Sequence, residues 1–241
     1  MALYKRENNT SYTLGITLTI ELLKTKPELV KQVYFHSNFD KKEAYDLIVE
    51  LCQKHQINIV TGNKIFNILS QKDNCYVIAE FFKFDSKIDN NRNHLVLVNP
   101  SDSGNLGTIM RSALGFNIVD IVIINPAVDC FNPKTIRSSM GAIFHLNIQY
   151  FDSFEEYLNQ NLTRDYFPFM LKAKAELSNI GPLLGDKKYS LIFGNEATGL
   201  SDKFLEVGTP IIIKHSNKID SLNLPIAVSI ALYEVNKKVG S

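Results

Sequence analysis

Long apolar runs are missing from this sequence of 241 residues. No stretch approaches the ~20 residues that a membrane-spanning helix requires. Cysteine is sparse. Cys52, Cys75 and Cys130 are odd in number, far apart and form no CxxC pair. Neither a disulfide framework nor a zinc site is therefore expected, and the thiols read as buried or idle. An excess of charge of one sign is also missing. Lys and Arg number 26 against 25 Asp and Glu, and residues 1–83 hold 11 against 9, with no basic tail. Any contact with RNA must come from charge clustered locally on a folded surface. The start, MALYKRENNTSYTLG, lacks the apolar stretch of a signal peptide, so the expected location is cytoplasmic.

What is present is a globular composition, 45% hydrophobic and 21% charged. A chain of this length can bury a sizeable core in one or two domains. The most informative stretch is Asn99 to Phe116, NPSDSGNLGTIMRSALGF. Strand formers Leu95 to Val98 enter it. Leu106, Ile109, Met110, Ala113 and Leu114 leave it at helical spacing. Between them lies a turn of Gly, Ser, Asp and Asn, which would aim free N–H groups at whatever binds the loop. Arg111 falls off the apolar stripe. Its helical neighbours Gly107, Thr108 and Gly115 are small, so its guanidinium reads either as solvated or as open to a ligand.

Taken in order, residues 1–82 read as a small α/β unit. Helices are expected at Thr17–Lys24, Lys41–His55 and Lys64–Leu69, and strands at Val30–Phe35, Ile57–Val60 and Tyr76–Phe82. Residues 83–94 are polar, with an Asn cluster and no apolar periodicity, and read as a linker or a surface loop. Residues 95–241 continue the αβ rhythm. Further strands are expected at Val119–Ile124, Ile143–Ile148, Met170–Ala173, Tyr189–Phe193 and Pro210–Ile213. Helices are expected after Asn132-Pro133, from Ser153 to about Asn161, and over Leu224–Asn236. The last is apolar on nearly all sides and is expected to be buried, within its domain or against a second subunit.

Three loops carry candidate chemistry, each following the carboxyl end of a strand, where open α/β sheets bind ligands. They are the Asn99–Phe116 stretch, Phe193-Gly194-Asn195-Glu196-Ala197-Thr198-Gly199-Leu200, and Ile213 to Asn223. Singly they are weak. None is a phosphate loop or a GxGxxG, which disfavours a dinucleotide-dependent oxidoreductase. Ser221 and Asn223 read as helix caps or as catalysts.

Together and in this order, SGNLGTIMRSA, LIFGNEATGLS and SLNLPIAVSIALYE resemble the signature motifs of the SpoU/TrmH family of RNA ribose methyltransferases, in the SPOUT superfamily. The matching positions are Asn105, Gly107, Arg111 and Ala113, then Gly194, Glu196 and Gly199, then Ser221, Leu222 and Asn223. The segment Phe131 to Ile148 also looks like the family. One departure is Ile213-Lys214-His215, where the family usually has Ile-Pro-Met. It bears on the rigidity of that loop and leaves Lys214 and His215 either facing substrate or idle on the surface.

The resemblance implies an α/β fold with a trefoil-knotted SPOUT methyltransferase domain over 95–241, behind a smaller N-terminal α/β domain. That extension is similar to ribosomal proteins that bind RNA, and the alternative for it is a helper domain. The resemblance further implies S-adenosylmethionine as cofactor, contacted by Gly194, Ile213 and Leu222, a homodimer, and no metal. The implied activity is methylation of a ribose 2′-hydroxyl, with 23S rRNA expected as substrate. The alternatives are a tRNA substrate and a non-catalytic RNA-binding ribosome assembly factor. Arg111 is the implied catalytic residue, with Asn105, Ser221 and Asn223 on the nucleotide or on Arg111. Glu196 is expected to fix its loop by pairing with a basic group.

Overall fold

The computed structural model describes residues 4–69, 75–160 and 163–239. In chain order the elements are β1 (Thr10–Leu14), α1 (Ile16–Thr25), β2 (Val30–Phe35), α2 (Lys42–Lys54), β3 (Ile59–Thr61), α3 (Lys64–Leu69) and β4 (Val77–Phe82). There follow β5 (His94–Val98), α4 (Ser103–Gly115), β6 (Asp120–Ile124), α5 (Pro133–Ser139), β7 (Asn147–Phe151) and α6 (Phe154–Gln160). The chain closes with β8 (Asp165–Pro168), β9 (Ala175–Glu176), β10 (Tyr189–Phe193), β11 (Ile211–Ile212) and α7 (Leu224–Val239).

Two compact units emerge. One comprises the described residues of Met1–Phe84 together with Asp129–His145, and the other those of Asp85–Val128 and Leu146–Ser241. The first unit is built on a sheet ordered β1-β4-β2-β3. In it β4 runs antiparallel to β1 and β2, and β2 runs parallel to β3. Placement of α5 here departs from the sequence reading, which put Asp129–His145 in the second domain. Phe131 and Phe144 each pack a ring against Phe81 of β4, and Ser11 of β1 donates to the Phe131 carbonyl. Phe144 is thus buried, and Phe131 half-buried, on this sheet rather than in a core of their own.

The second unit is a parallel sheet ordered β7-β6-β5-β10-β8. Both β6 (DIVII) and β10 (YSLIF) are buried along their whole length, as strands covered on both faces must be. On one face Val96, Val122, Ile192, Phe151, Tyr157 and Phe204 form a continuous core. The alternate residues Leu95, Leu97, Ile121 and Leu191 point the other way and are also fully buried or nearly so. The direction of chain travel across the sheet reverses between β5 and β10, so the loops after these two strands lie side by side.

Several expected elements shift. The strand expected at Met170–Ala173 lies earlier, at β8, whose ladder with β10 runs to Pro168 and is followed by a last bond from the Phe169 N–H to the Ile192 carbonyl at 2.8 Å. The chain then turns at Leu171 and Lys172. The strand expected at Ile143–Ile148 divides into a 3₁₀ turn, Ala142–His145, and β7. Expected Asn161, at the end of α6, lies outside the described residues. Helix α7 is not wholly covered. Ile226, Ile230 and Tyr233, at i, i+4 and i+7, are 53%, 40% and 56% exposed, a stripe along one face.

Of the segment read as a linker, residues 85–93 are bonded onto the parallel sheet of the second unit. The Ser86 hydroxyl donates to the Ile148 carbonyl (3.0 Å), the Asp89 N–H donates to Asp120 (3.1 Å), and Asn93 accepts from the Tyr189 N–H (3.1 Å). Beneath it lies a buried polar cluster. Arg164 donates to the carbonyls of Asn90 (3.0 Å) and Arg92 (2.9 Å) and to the Ser190 hydroxyl (3.1 Å). His94 Nδ1 lies 2.8 Å from the Tyr157 hydroxyl. Burial, reinforced by the Arg164 charge, pushes the His94 imidazole down to about 4.

Candidate active site

The loop after β5 is shaped by its own first helical turn. Asp102 caps α4 by accepting from the Asn105 N–H at 2.8 Å. The facing loop after β10 is closed by Asn195, whose side-chain oxygen accepts from the N–H groups of Ala197 (2.9 Å) and Thr198 (3.2 Å). At its ends the two glycines meet. Gly199 adopts a left-handed φ of 65°, and a Cβ on Gly194 would lie 2.2 Å from the Gly199 carbonyl carbon. Only glycine fits at 194.

Glu196 joins the two loops. Its carboxylate accepts from the Ser101 N–H (3.1 Å) and hydroxyl (2.8 Å), the Asp102 N–H (3.3 Å) and the Asn105 amide (3.2 Å). Asn195 adds a fifth tie through the Asn99 carbonyl at 2.8 Å. Partial burial on its own would raise the Glu196 carboxyl. The hydrogen bonds from its own N–H, from Ser101 and from Asn105 outweigh that and hold it below the usual carboxylate range. The pairing expected with a basic group is thus replaced by a set of neutral donors among the described residues.

The third loop completes a cavity of about 460 Å³, within the ~300–1,000 Å³ typical of small-molecule sites. Gly194, Glu196, Ile213, Ser221 and Leu222 all line it, so five of the eight candidate residues converge on one space. Phe169 and Phe193 stack at its floor, with ring centres 4.3 Å apart and planes within 9°. His215 also lines the cavity, its Nδ1 2.9 Å from the Ile213 carbonyl. Lys214 does not. It forms an ion pair with Glu176 at 2.6 Å, fastening this loop to β9, with which β11 pairs.

The other three candidates lie outside the cavity lining. The Asn105 side chain is committed to Glu196. Asn223 opens α7, its carbonyl accepting from the Ala227 N–H at 3.0 Å. Arg111 is exposed on α4 and bonds to none of the described residues. Helix α4 is packed against α7, with Ser112 and Ser229 hydroxyls 2.8 Å apart. Sequence reasoning passed over Ser101, Asp102 and Asn195. Asp102 carried a usable signal, an acidic cap placed three residues before Asn105 at the head of an apolar periodic run. Among the described residues there is no cluster of three His, Cys, Asp or Glu side chains fit for a metal, and no helix long and apolar enough to cross a membrane.

A parallel α/β domain with a cavity beyond the carboxyl ends of two adjoining strands defines a ligand-binding class shared by many enzymes. Residues 92–233 match the model of the SpoU rRNA Methylase family, and the chain belongs to that family. It is 32% identical over 145 residues to an uncharacterised tRNA/rRNA methyltransferase of Synechocystis, covering 60% of this chain and 53% of that protein. It is 27% identical over 163 residues to the 23S rRNA (guanosine(2553)-2′-O)-methyltransferase RlmP of Bacillus subtilis, covering 63% of this chain and 60% of the relative. The chain therefore spans between half and two thirds of the length of these relatives. Its fold matches the AdoMet-bound rRNA methyltransferase of Sinorhizobium meliloti with a TM-score of 0.81 at 22% identity, over 97% of this chain and 89% of that one.

Proposed function

We infer that the chain is an S-adenosylmethionine-dependent RNA methyltransferase acting on a ribose 2′-hydroxyl, with 23S rRNA as substrate. The observation that carries this reading is the convergence of Gly194, Glu196, Ile213, Ser221 and Leu222 on one cavity, beside a loop that Glu196 ties to the helix bearing Arg111. The cavity fits the cofactor by its own features. The stacked Phe169 and Phe193 offer an apolar floor for an adenosine, and the Gly194–Gly199 contact lets bare backbone approach it. A homodimer formed through the exposed stripe of α7, a trefoil knot in the segment carrying the second and third motifs, and a cytoplasmic location belong to the same proposal.

When bound, the cofactor supplies a methyl group already activated on a sulfonium. The protein's task is then to align a poor nucleophile with it. Arg111 cannot serve as general base, because a guanidinium stays protonated below pH ~12. Its role is to grip the phosphate beside the target ribose through two parallel N–H donors and to offset negative charge developing on the 2′-oxygen. Glu196 holds the loop before α4 and so sets the direction in which Arg111 leaves the helix. Ser221 and Asn223, at the entrance to α7, are placed in this proposal on the nucleotide.

The test is methyl transfer from labelled S-adenosylmethionine to unmodified total RNA, separated by size, with Arg111→Ala in parallel. Label in the large ribosomal fraction, resistant to alkaline cleavage at one position and lost in the variant, is the expected result. Label confined to the small fraction would move the substrate to tRNA. Cofactor-independent RNA binding with no transfer would support an assembly factor instead.

A further inference from the structure

The cavity is graded from an apolar floor to a charged mouth. Phe193 and Leu224 on the inner wall are only 3% and 9% exposed. At the rim the side chains of Lys172 and Asp202 are 65% and 68% exposed. They reach toward each other from separate segments, Lys172 from the turn after β8 and Asp202 from the 3₁₀ turn Asp202–Glu206 that follows the second motif loop. The Lys172 ammonium donates to both Asp202 oxygens, at 2.7 and 2.8 Å. Among the described residues lining the cavity, Lys172 is the single Lys or Arg. Two other acids line the cavity: Glu196, which is occupied by Ser101 and Asn105, and Asp220, which is exposed on the third loop.

We propose that Lys172 and Asp202 form the recognition pair for the amino-acid end of the cofactor. The inference rests on the methyltransferase reading above and names the residues that select one end of its ligand. S-Adenosylmethionine has an apolar-faced adenosine at one end and a zwitterion, carboxylate and ammonium on a single carbon, at the other. The stacked floor suits the first end. That leaves the second at the mouth, where opposite charges stand within hydrogen-bonding distance of each other. The Lys172 ammonium takes the ligand carboxylate and the Asp202 carboxylate takes the ligand ammonium, so one ion pair is exchanged for two. Opening the resting pair costs little, because a pair this exposed is well solvated and weak. The two new contacts form against a ligand that excludes part of that water, and hydrogen bonds between charged groups are the stronger kind. No covalent step is involved.

The experiment is calorimetric binding of two neutral thioethers, S-adenosylhomocysteine and 5′-methylthioadenosine. The second keeps the adenosine and lacks the amino-acid end. Wild type, Lys172→Met and Asp202→Asn are compared, and thermal midpoints check that these exposed substitutions leave the fold intact. The expected result is that each variant weakens S-adenosylhomocysteine about tenfold, the order of one charged hydrogen bond that is partly exposed, while 5′-methylthioadenosine binding stays within twofold. Equal effects on both compounds, or no effect on either, would overturn the assignment. Weakening in Lys172→Met but not in Asp202→Asn would overturn the half that concerns Asp202. Failure of the wild type to bind either compound would instead overturn the cofactor reading, and this inference with it.

Discussion

Glu196 and Asn105, 91 positions apart in the chain, are joined side chain to side chain at 3.2 Å. The contact turns two loops on neighbouring strands into one structure, because the same carboxylate also holds the Ser101 and Asp102 N–H groups. Glu196→Ala removes the acceptor for four donors. A loss of about 1–3 kcal/mol is expected from the donors left without a partner, the lower end applying because the site is half open to water. Methyl transfer should fall further than stability does, and Glu196→Gln should recover part of both. Urea unfolding and single-turnover transfer on the same preparations check this.

Gly194→Ala should abolish cofactor binding. The added carbon would sit 2.2 Å from the Gly199 carbonyl carbon, which is backbone and cannot rotate aside. The second motif loop must then open. Gly185→Ala is the matched control, since a Cβ there meets nothing within 4 Å. Isothermal titration with S-adenosylhomocysteine separates the two.

Arg111→Ala should leave the melting temperature and cofactor affinity unchanged, since the side chain is exposed and bonds to none of the described residues. Transfer to RNA should fall by about 10²–10³, the range seen when a positioned transition-state donor is removed. Arg111→Lys keeps the charge but not the two-pronged donor. It should fall nearly as far, and near-normal turnover in that variant would count against a phosphate fork.

His94 makes stability depend on pH. Its imidazole titrates near 4 when folded, against ~6.5 in an unfolded chain. Between these values the unfolded state binds more protons, so stability rises with pH through the window and is lost as pH falls through it. The contribution is about 3 kcal/mol from that difference. His94→Gln should remove that part of the pH dependence. The check is the wild-type-minus-variant difference in urea unfolding free energy at pH 7 and pH 4.5.

Much of the second unit was legible because its signals are local. Ser153 begins α6 where the capping rules put it, as Asn132-Pro133 begins α5 in the first unit. The largely apolar runs of β6 and β10 read as covered strands. What escaped was set by partners distant in sequence. Thr10–Leu14 reads as an unremarkable TSYTL until β4 supplies its ladder. Ile143 and Phe144 have strand composition but wind as a 3₁₀ turn because the pairing with β6 begins at Asn147. For the site, motif spacing singled out Glu196 but not what it holds. Two of its four donors are backbone groups, which carry no residue signature. The commitment of Lys214 to Glu176 was likewise invisible without the β9–β11 pairing.

The pairing of β5 with β10 has a consequence for how the molecule reaches its working form. His94 lies opposite Ser190, and Leu97 opposite Phe193. The wall supplied by Ile213 and Leu222 comes later still in the chain. The lining residues all fall between Phe169 and Ala227, but the strand and loop that carry Phe193, Gly194 and Glu196 are held in place by β5 and by Ser101 and Asn105, roughly a hundred residues earlier in the chain. Folding dominated by such distant contacts is slow. Affinity for a nucleoside ligand should therefore appear only with the last, longest-range step of folding, so that its onset times completion of the native state more faithfully than helix content does.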